Sequence, residues 1–599
     1  MSDWEARFRA RRISLPDWAR DQPSRAAVIA TTDAGVIELH SWQVGSSELS
    51  PATSRADGTS EATIDHAGEW LWWFDDERGD ERGVWRRQPF GSAPGTAVDA
   101  TGLEPAYSAG LALGDGIAVV GSTDDGYGVR VHLVVTGDQA TNRLLYEHQE
   151  DAYVGDLSRD DGLLVLAHSE HGDSRHPALR VLRAEDASTV ADLWDGPGKG
   201  LHPVEFSPVY GDPRLLVVHE REGAPALLVW DPVAGTEQPL AIDAEGEVAD
   251  AQWWPDAGSV LVALDHHART RLVRLDLGTG RVTHWGPTTG TVTAASVRDD
   301  GDVWATWSSA AQPSSVRRFT AAGADDVLLT APGPAAPPSV PVEDLWVDGP
   351  GGPVHALLRR PVGVQGPLPL VVEVHGGPTH HDVDAFGAYP SAWVDHGYAV
   401  VQVNYRGSTG YGSPWRDALE ARVGHVELED VRAVRDHLVT TGIADTDRVV
   451  LAGGSWGGFL TLLGLGVDPD SWSLGLAAVP VADYVAAYED EMEGLKAFDR
   501  SLFGGSPDDV PEKYFDSSPI TYVDRVRAPV LVLAGENDPR CPIRQIENYL
   551  ARLADRAAPH EVYRFDAGHG SLVNDERVRQ MRTELAFAAR HLGTARPLG

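Results

Sequence analysis

Between about residue 20 and residue 330 the chain repeats a unit of about 40 to 45 residues: a polar turn, a β-rich run, a short Gly/Asp turn and a second β-rich run. Copies read AAVIATTDAGVIELHSW from Ala26, GEWLWWFDDERGDERGVWRR from Gly68, GIAVVGSTDDGYGVRVHLVV from Gly116 and GLLVLAHSEHGDSRHPALRVL from Gly162. They continue with PRLLVVHEREGAPALLVWDPVAGTEQPL from Pro213, GSVLVALDHHARTRLVRLDLGTGRVTHW from Gly258 and GDVWATWSSAAQPSSVRRF from Gly301, which makes seven. Repeats of this length, each holding about four short strands with an Asp-x-x-x-Gly turn between the last two, are the signature of β-propeller blades. One blade cannot bury both its faces, so the copies must stack in a ring. The repeats are degenerate, which leaves a pair of irregular β-sandwiches as the alternative.

The pattern changes after APGPAAPPSVPVED, residues 331–344, whose five prolines predict a stiff linker. Strands then alternate with helices: LPLVVEVHGG, YAVVQVNYRG, the helical ELEDVRAVRDHLVTTG, RVVLAGGSWGG, LGLAAVPV, APVLVLAGEND and HEVYRFDAGHG. The strands are continuous Val/Leu/Ala runs suited to burial on both faces, and Val431, Val434 and Leu438 recur at helical spacing. A mostly parallel, doubly wound α/β sheet follows. The division read from the sequence is an N-terminal segment over 1–19 packing on the α/β domain, a seven-bladed propeller over 20–330, the linker over 331–344 and the α/β domain over 345–599.

Bulk properties narrow the function classes. With 89 Asp+Glu against 50 Lys+Arg the net charge is −39, which argues against nucleic acid or an anionic membrane as partner, since both need a basic face. Cys541 is the only cysteine, so neither an intrachain disulfide nor a cysteine-based zinc site can form. MSDWEARFRARRISLPDW lacks a run of signal-peptide length, and no later segment reaches the ~20 apolar residues of a membrane span. The expectation is a cytoplasmic protein; a homo-oligomer is left open.

The sharpest local signal is Gly453-Gly454-Ser455-Trp456-Gly457-Gly458, directly after the strand RVVLA and before the apolar FLTLLGLG. A serine on a tight strand-to-helix turn needs small flanking residues, and the turn lifts its hydroxyl above the sheet. Serine is a poor nucleophile at neutral pH and needs a base oriented by a carboxylate. In the chain order of an α/β-hydrolase the acid comes next and the histidine last. Asp538 in GENDPRCP and His569 in DAGHG both follow strands, at the ends where such sheets place their sites. Glu536 and Asp566 are rival acids; His375, His380, His381 and His560 are weaker candidates for the base. A tetrahedral intermediate needs two N–H donors, assigned to Trp456 after the serine and to Gly377 in His375-Gly376-Gly377-Pro378. This chemistry requires no metal and no organic cofactor.

Together HGGP at 375–378, NYRGSTGYG at 404–412, GGSWGG at 453–458, GENDPRCP at 535–542 and GHG at 568–570, behind a propeller, resemble the prolyl oligopeptidase family of serine peptidases, especially its acylaminoacyl-peptidase and aminopeptidase branches. The resemblance covers nearly the whole chain. It departs at Ala534, where a histidine is often found, and at Cys541, usually an aliphatic position. It implies an α/β-hydrolase domain behind a seven-bladed propeller that covers the active site, so that short peptides or aminoacyl compounds reach Ser455 and folded proteins do not. It also implies that Val481, Tyr484 and Tyr488 wall the pocket for the side chain preceding the scissile bond. Arg406 reads as a structural ion pair.

Glu489, Asp490, Glu491 and Glu493 form an acidic run after that pocket helix. A carboxylate there can bind a protonated α-amine, so Glu489 and Glu491 favour aminopeptidase action. The competing readings are an acylaminoacyl or dipeptidyl peptidase, an esterase acting on small acyl esters, and a catalytically inactive propeller that binds partners.

Overall fold

The computed structural model describes residues 2–124, 126–137, 140–364 and 366–593. Residues 17–51, 62–99, 106–148, 152–193, 201–239, 247–285 and 291–329 each form a four-stranded antiparallel blade, and the second and third blades join edge to edge where Arg82 and Gly83 pair with Tyr107 and Ala106. The fold is a seven-bladed β-propeller in front of an α/β-hydrolase sheet. Asp-x-x-x-Gly turns work as their chemistry requires. Asp231 Oδ1 accepts the N–H groups of Val233 and Ala234, and Gly235 closes the turn at φ +67°.

Neighbouring blades are tied through their innermost strands: Phe206 N donates to Asp156 Oδ2 at 2.7 Å and Val297 N to Gln252 Oε1 at 2.6 Å. First and last blades share no strand. They close the ring through side chains, with Trp42 against Trp304 and the Arg298 guanidinium lying between Trp18 and Trp304 at 4.2 and 4.0 Å from the ring centroids. Asp17–Trp18 is the first strand of the first blade, so that blade starts ahead of residue 20.

The C-terminal sheet contains β1 (Glu343–Gly349), β2 (Gly352–Arg359), β3 (Leu368–Val374), β4 (Ala399–Asn404), β5 (Ala444–Gly454), β6 (Leu474–Ala478), β7 (Val530–Gly535) and β8 (His560–Phe565). Its order is β1-β2-β4-β3-β5-β6-β7-β8, parallel from β4 onward, with β1 and β2 as an antiparallel edge. β1 begins two residues inside the stretch read as linker. The central strands carry fully buried Val371 and Val372, with Val400, Val401, Val450 and Leu451 beside them, because helices cover both faces.

The helices that matter below are α1 (Asp3–Arg9), α2 (Ala388–Asp395), α3 (Trp456–Val467), α4 (Tyr484–Asp490), α5 (Glu493–Phe503) and α6 (Asn574–Leu592). α1 lies against the α/β sheet's helices: Trp4 packs edge-on to His396, Arg7 pairs with Asp395 of α2, and Glu5 pairs with Arg582 of α6. Arg7 also donates to the carbonyls of Pro337 and Pro338, which pins the proline-rich stretch. Among the described residues no helix is long and apolar enough to cross a membrane.

Candidate active site

Ser455 stands between β5 and α3 with φ +56° and ψ −121°. A non-glycine residue held at such angles costs about 1–3 kcal/mol, so the surroundings must enforce it. Ser455 N donates to Ala478 O of β6 at 2.9 Å, and Phe459 N closes the first turn of α3 on Ser455 O at 2.9 Å. The steric demand for small neighbours falls on two glycines. A Cβ on Gly457 would lie 2.0 Å from Val374 O, and one on Gly453 would lie 2.6 Å from the same carbonyl. Gly454 has more room, its nearest neighbour being Ala478 at 3.9 Å.

Asp538 and His569 come from the loops after β7 and β8. His569 Nδ1 donates to Asp538 Oδ2 at 2.7 Å. The other oxygen of the buried Asp538 accepts the backbone N–H groups of Arg540 at 2.9 Å and Cys541 at 3.0 Å, which fixes the carboxylate's plane. Glu536 is exposed, and Asp566 bonds Asn537 and faces Arg78 instead. His375 is buried, stacked on Tyr405 and bonded through Nε2 to Ser408 Oγ at 2.8 Å. Burial pushes its pKa down to about 3, so it stays neutral and structural. His381 bonds Thr409 and His560 bonds Ala558 O, so neither reaches this carboxylate.

One sulfur, one carboxylate oxygen and one ring nitrogen of Cys541, Asp538 and His569 lie within 4.8 Å of one another, a spacing that a metal ion also fits. The donor set argues otherwise: both oxygens of Asp538 already accept N–H groups, and burial with the nearby Asp538 charge pushes the thiol well above its usual range.

The His375–Pro378 turn reaches the serine. A Cβ on Gly376 would sit 3.4 Å from Ser455 Cβ, and Gly377 adopts φ +123°, a conformation open to glycine alone. Trp456 is the first residue of α3, where the backbone N–H has no intrahelical acceptor. Arg406 forms the expected type of ion pair, to Asp430 at 2.9 Å and Glu429 at 2.9 Å.

What the motifs did not disclose is how the propeller holds this site. The second-blade hairpin around Gly79 presses on the histidine loop so closely that a Cβ on Gly568 would lie 1.8 Å from Gly79 O. Glu81 pairs with Arg540, two residues after Asp538, at 2.8 Å. From the first blade, Gly35 O accepts Asn574 N at 2.8 Å, and Val36 bridges to Val573. The only trace in the sequence is the charge- and glycine-dense DDERGDERG at 75–83. These contacts enclose a cavity of about 830 Å³ that His569, Met492 and Arg540 line from one side and Asp57, Glu61 and Glu81 from the other.

The residues read as substrate-binding stand in different surroundings, although Tyr484 and Tyr488 both pack edge-on against Tyr514. Val481 and Tyr488 are half-buried, and Tyr488 OH meets Arg500 at 3.3 Å. The Tyr484 ring is core, packed edge-on against Phe459 and Phe503 with centroids 5.2 Å apart in both cases. Glu489 turns out to solvent and pairs with Arg544 at 2.7 Å, so it does not face the serine as an amine receptor. Helical geometry splits the acidic run: Glu489 and Asp490 end α4 on its outer face, while Glu491, past its end, is buried.

Residues 385–595 match the prolyl oligopeptidase family. The acylamino-acid-releasing enzyme of Mus musculus is 35% identical over 197 residues, covering 32% of this chain and 27% of that protein. Dipeptidyl aminopeptidase BIII of Pseudoxanthomonas mexicana is 30% identical over 239 residues, covering 39% of this chain and 35% of that protein. The aligned stretch is thus about a third or less of each relative's length. A puromycin-hydrolyzing peptidase of Mycobacterium tuberculosis superposes with a TM-score of 0.83 at 23% identity, over 100% of this chain and 97% of that one, which shows the shared two-part fold. The stretch that is similar to the prolyl oligopeptidase family, residues 385–595, thus holds the strained serine turn and the Asp–His pair together.

Proposed function

We propose that this protein is a serine peptidase that hydrolyses the amide bonds of short peptides or aminoacyl compounds through an acyl-enzyme on Ser455. His569 takes the Ser455 proton and returns it to the leaving amine, Asp538 orients the imidazole and stabilises its cation, and the N–H groups of Gly377 and Trp456 receive the oxyanion. The observation that carries this reading is the 2.7 Å bond between His569 Nδ1 and Asp538 Oδ2, in loops at the same C-terminal edge of the parallel sheet as a serine at φ +56°. The propeller over residues 17–329 acts as a cover that admits short chains and excludes folded proteins.

Exopeptidase action on a free amino terminus is the favoured subtype, now for a different reason than the acidic run at 489–493. Asp57 and Glu61 of the propeller line the cavity opposite His569, and neither has an ion pair among the described residues. Burial, with Glu81 and Asp76 nearby, holds the Glu61 carboxyl above its usual range, the environment in which an ammonium group is welcome. The printed names of the relatives keep the acylaminoacyl and dipeptidyl alternatives in the test. Turnover of a free aminoacyl chromogenic amide, a free dipeptidyl amide and an N-acetylated aminoacyl amide separates the three, each measured with wild type and Ser455→Ala. Loss of all turnover in Ser455→Ala is expected; retained turnover identifies another nucleophile. Matched esters distinguish a peptidase from an esterase: negligible amide hydrolysis beside rapid ester hydrolysis overturns the peptidase reading.

A further inference from the structure

A second cavity, of about 320 Å³, lies where the innermost strands of the sixth and seventh blades meet residues 380–383 of the α/β domain. The proposed chemistry does not use it. Its walls are small and apolar, with Ala251, Ala263, Leu272, Val292, Ala294 and Val383 among them, and its volume is that of a small-molecule site. Two carboxylates, Asp250 and Asp265, also line it, and among the described residues no Lys or Arg does.

A polar pair stands in this apolar wall. His381 is 7% exposed, and its Nδ1 bonds Thr409 Oγ1 at 2.9 Å, while its Nε2 has no hydrogen-bond partner. That nitrogen faces Asp265 Oδ2 at 3.7 Å, beyond hydrogen-bond reach, and the other oxygen of Asp265 accepts the Thr270 hydroxyl. An N–H aimed at a carboxylate closes to about 2.8 Å. The wider gap therefore assigns the proton to Nδ1, which donates to Thr409, and leaves the Nε2 lone pair toward Asp265. Burial holds the imidazole below its usual range, which keeps it neutral.

Two acceptors thus face one another with no donor between them, and buried acceptors left so are costly. One nitrogen atom fits within about 2.8–3.0 Å of both. It must bring two N–H groups, one for each acceptor, and a positive charge suits a wall that holds carboxylates and no cation. A hydroxyl brings only one donor. The apolar walls require that the rest of the ligand be hydrocarbon.

We propose that this cavity is a binding site for a primary ammonium compound with an apolar body, whose nitrogen is held by Asp265 Oδ2 and His381 Nε2. The site is separate from Ser455, Asp538 and His569 and stands independently of the peptidase reading.

Titration calorimetry of the full chain with hexylammonium, and with 1-hexanol as its neutral analogue, tests the site. Hexylammonium is expected to bind at least roughly tenfold more tightly than hexanol, since its hydrogen bonds are charge-assisted. Asp265→Asn should remove that advantage, weakening hexylammonium by at least roughly tenfold and hexanol little. Ala294→Phe, at a cavity-lining position outside the hydrophobic core, fills the space and should abolish the binding of both probes. If Asp265→Asn does not fold, Ala294→Phe decides the location and the hexanol comparison decides the charge. No binding of hexylammonium at millimolar concentration overturns the proposal, as does hexanol binding equally tightly. Hexylammonium binding that a folded Ala294→Phe variant retains overturns it as well.

Discussion

The propeller meets the α/β domain in two unlike ways. Along the fourth to sixth blades the contact is a dense set of charges around the segment 404–420. Arg416 pairs with the buried Glu220, Arg175 pairs with Asp417 and Glu420, His176 sits between Asp173 and Asp417, and Glu247 accepts the N–H groups of Gly410 and Gly412. Along the first and second blades two partly exposed ion pairs, Glu81–Arg540 and Arg78–Asp566, flank a contact that is otherwise backbone against backbone. Gly79 touches Gly568, Gly35 bonds Asn574, and a cavity opens beside His569. The first contact anchors and the second shapes the site. Charge networks hold two surfaces with little demand on sub-ångström position, whereas glycine-to-glycine apposition sets where His569 stands.

The largest effect should come from the second contact. Gly568→Ala places a Cβ against Gly79 O, and displacing the histidine loop is expected to lower kcat/KM by roughly 10²-fold with the circular dichroism unchanged. Full activity in that variant would erase the distinction between the two contacts. Next is the anchor: Glu220→Ala leaves Arg416 without its buried partner and is expected to cost about 3 kcal/mol in denaturant unfolding, with kcat of the remaining folded protein little changed.

A smaller and pH-dependent effect belongs to His176. Burial opposes its charge, but the hydrogen bonds to Asp173 and Asp417 win and raise its pKa to about 9. Because the folded value lies above the ordinary one of 6.5, this stabilisation is complete below about pH 6.5 and is lost as pH rises through about 9. The melting temperature should fall between pH 7 and 10, and His176→Gln should flatten that fall. The smallest effect is expected for Arg540→Gln, which removes a partly exposed pair with Glu81: below about 1 kcal/mol in stability.

Much of this is legible in the sequence. Blade repeats were visible because each Asp-x-x-x-Gly turn carries its own local chemistry, as at Asp231–Gly235. The serine turn was visible because Gly453 and Gly457 must be small for local reasons. The acidic run at 489–493 was misjudged as one cluster, because the end of α4 sends Glu489 out to Arg544 and Glu491 inward, and spacing along a chain does not reveal where a short helix stops.

Sequence by itself determined the two architectures and the order of the serine, acid and histidine motifs, since periodicity and turn chemistry act over a few residues. Tertiary structure alone decided which carboxylate meets His569, which hairpin of the propeller presses on its loop, and that Glu489 turns out to Arg544 while Glu491 is buried. Those outcomes depend on contacts between segments far apart in the chain or turned by helix ends, and no local rule encodes them.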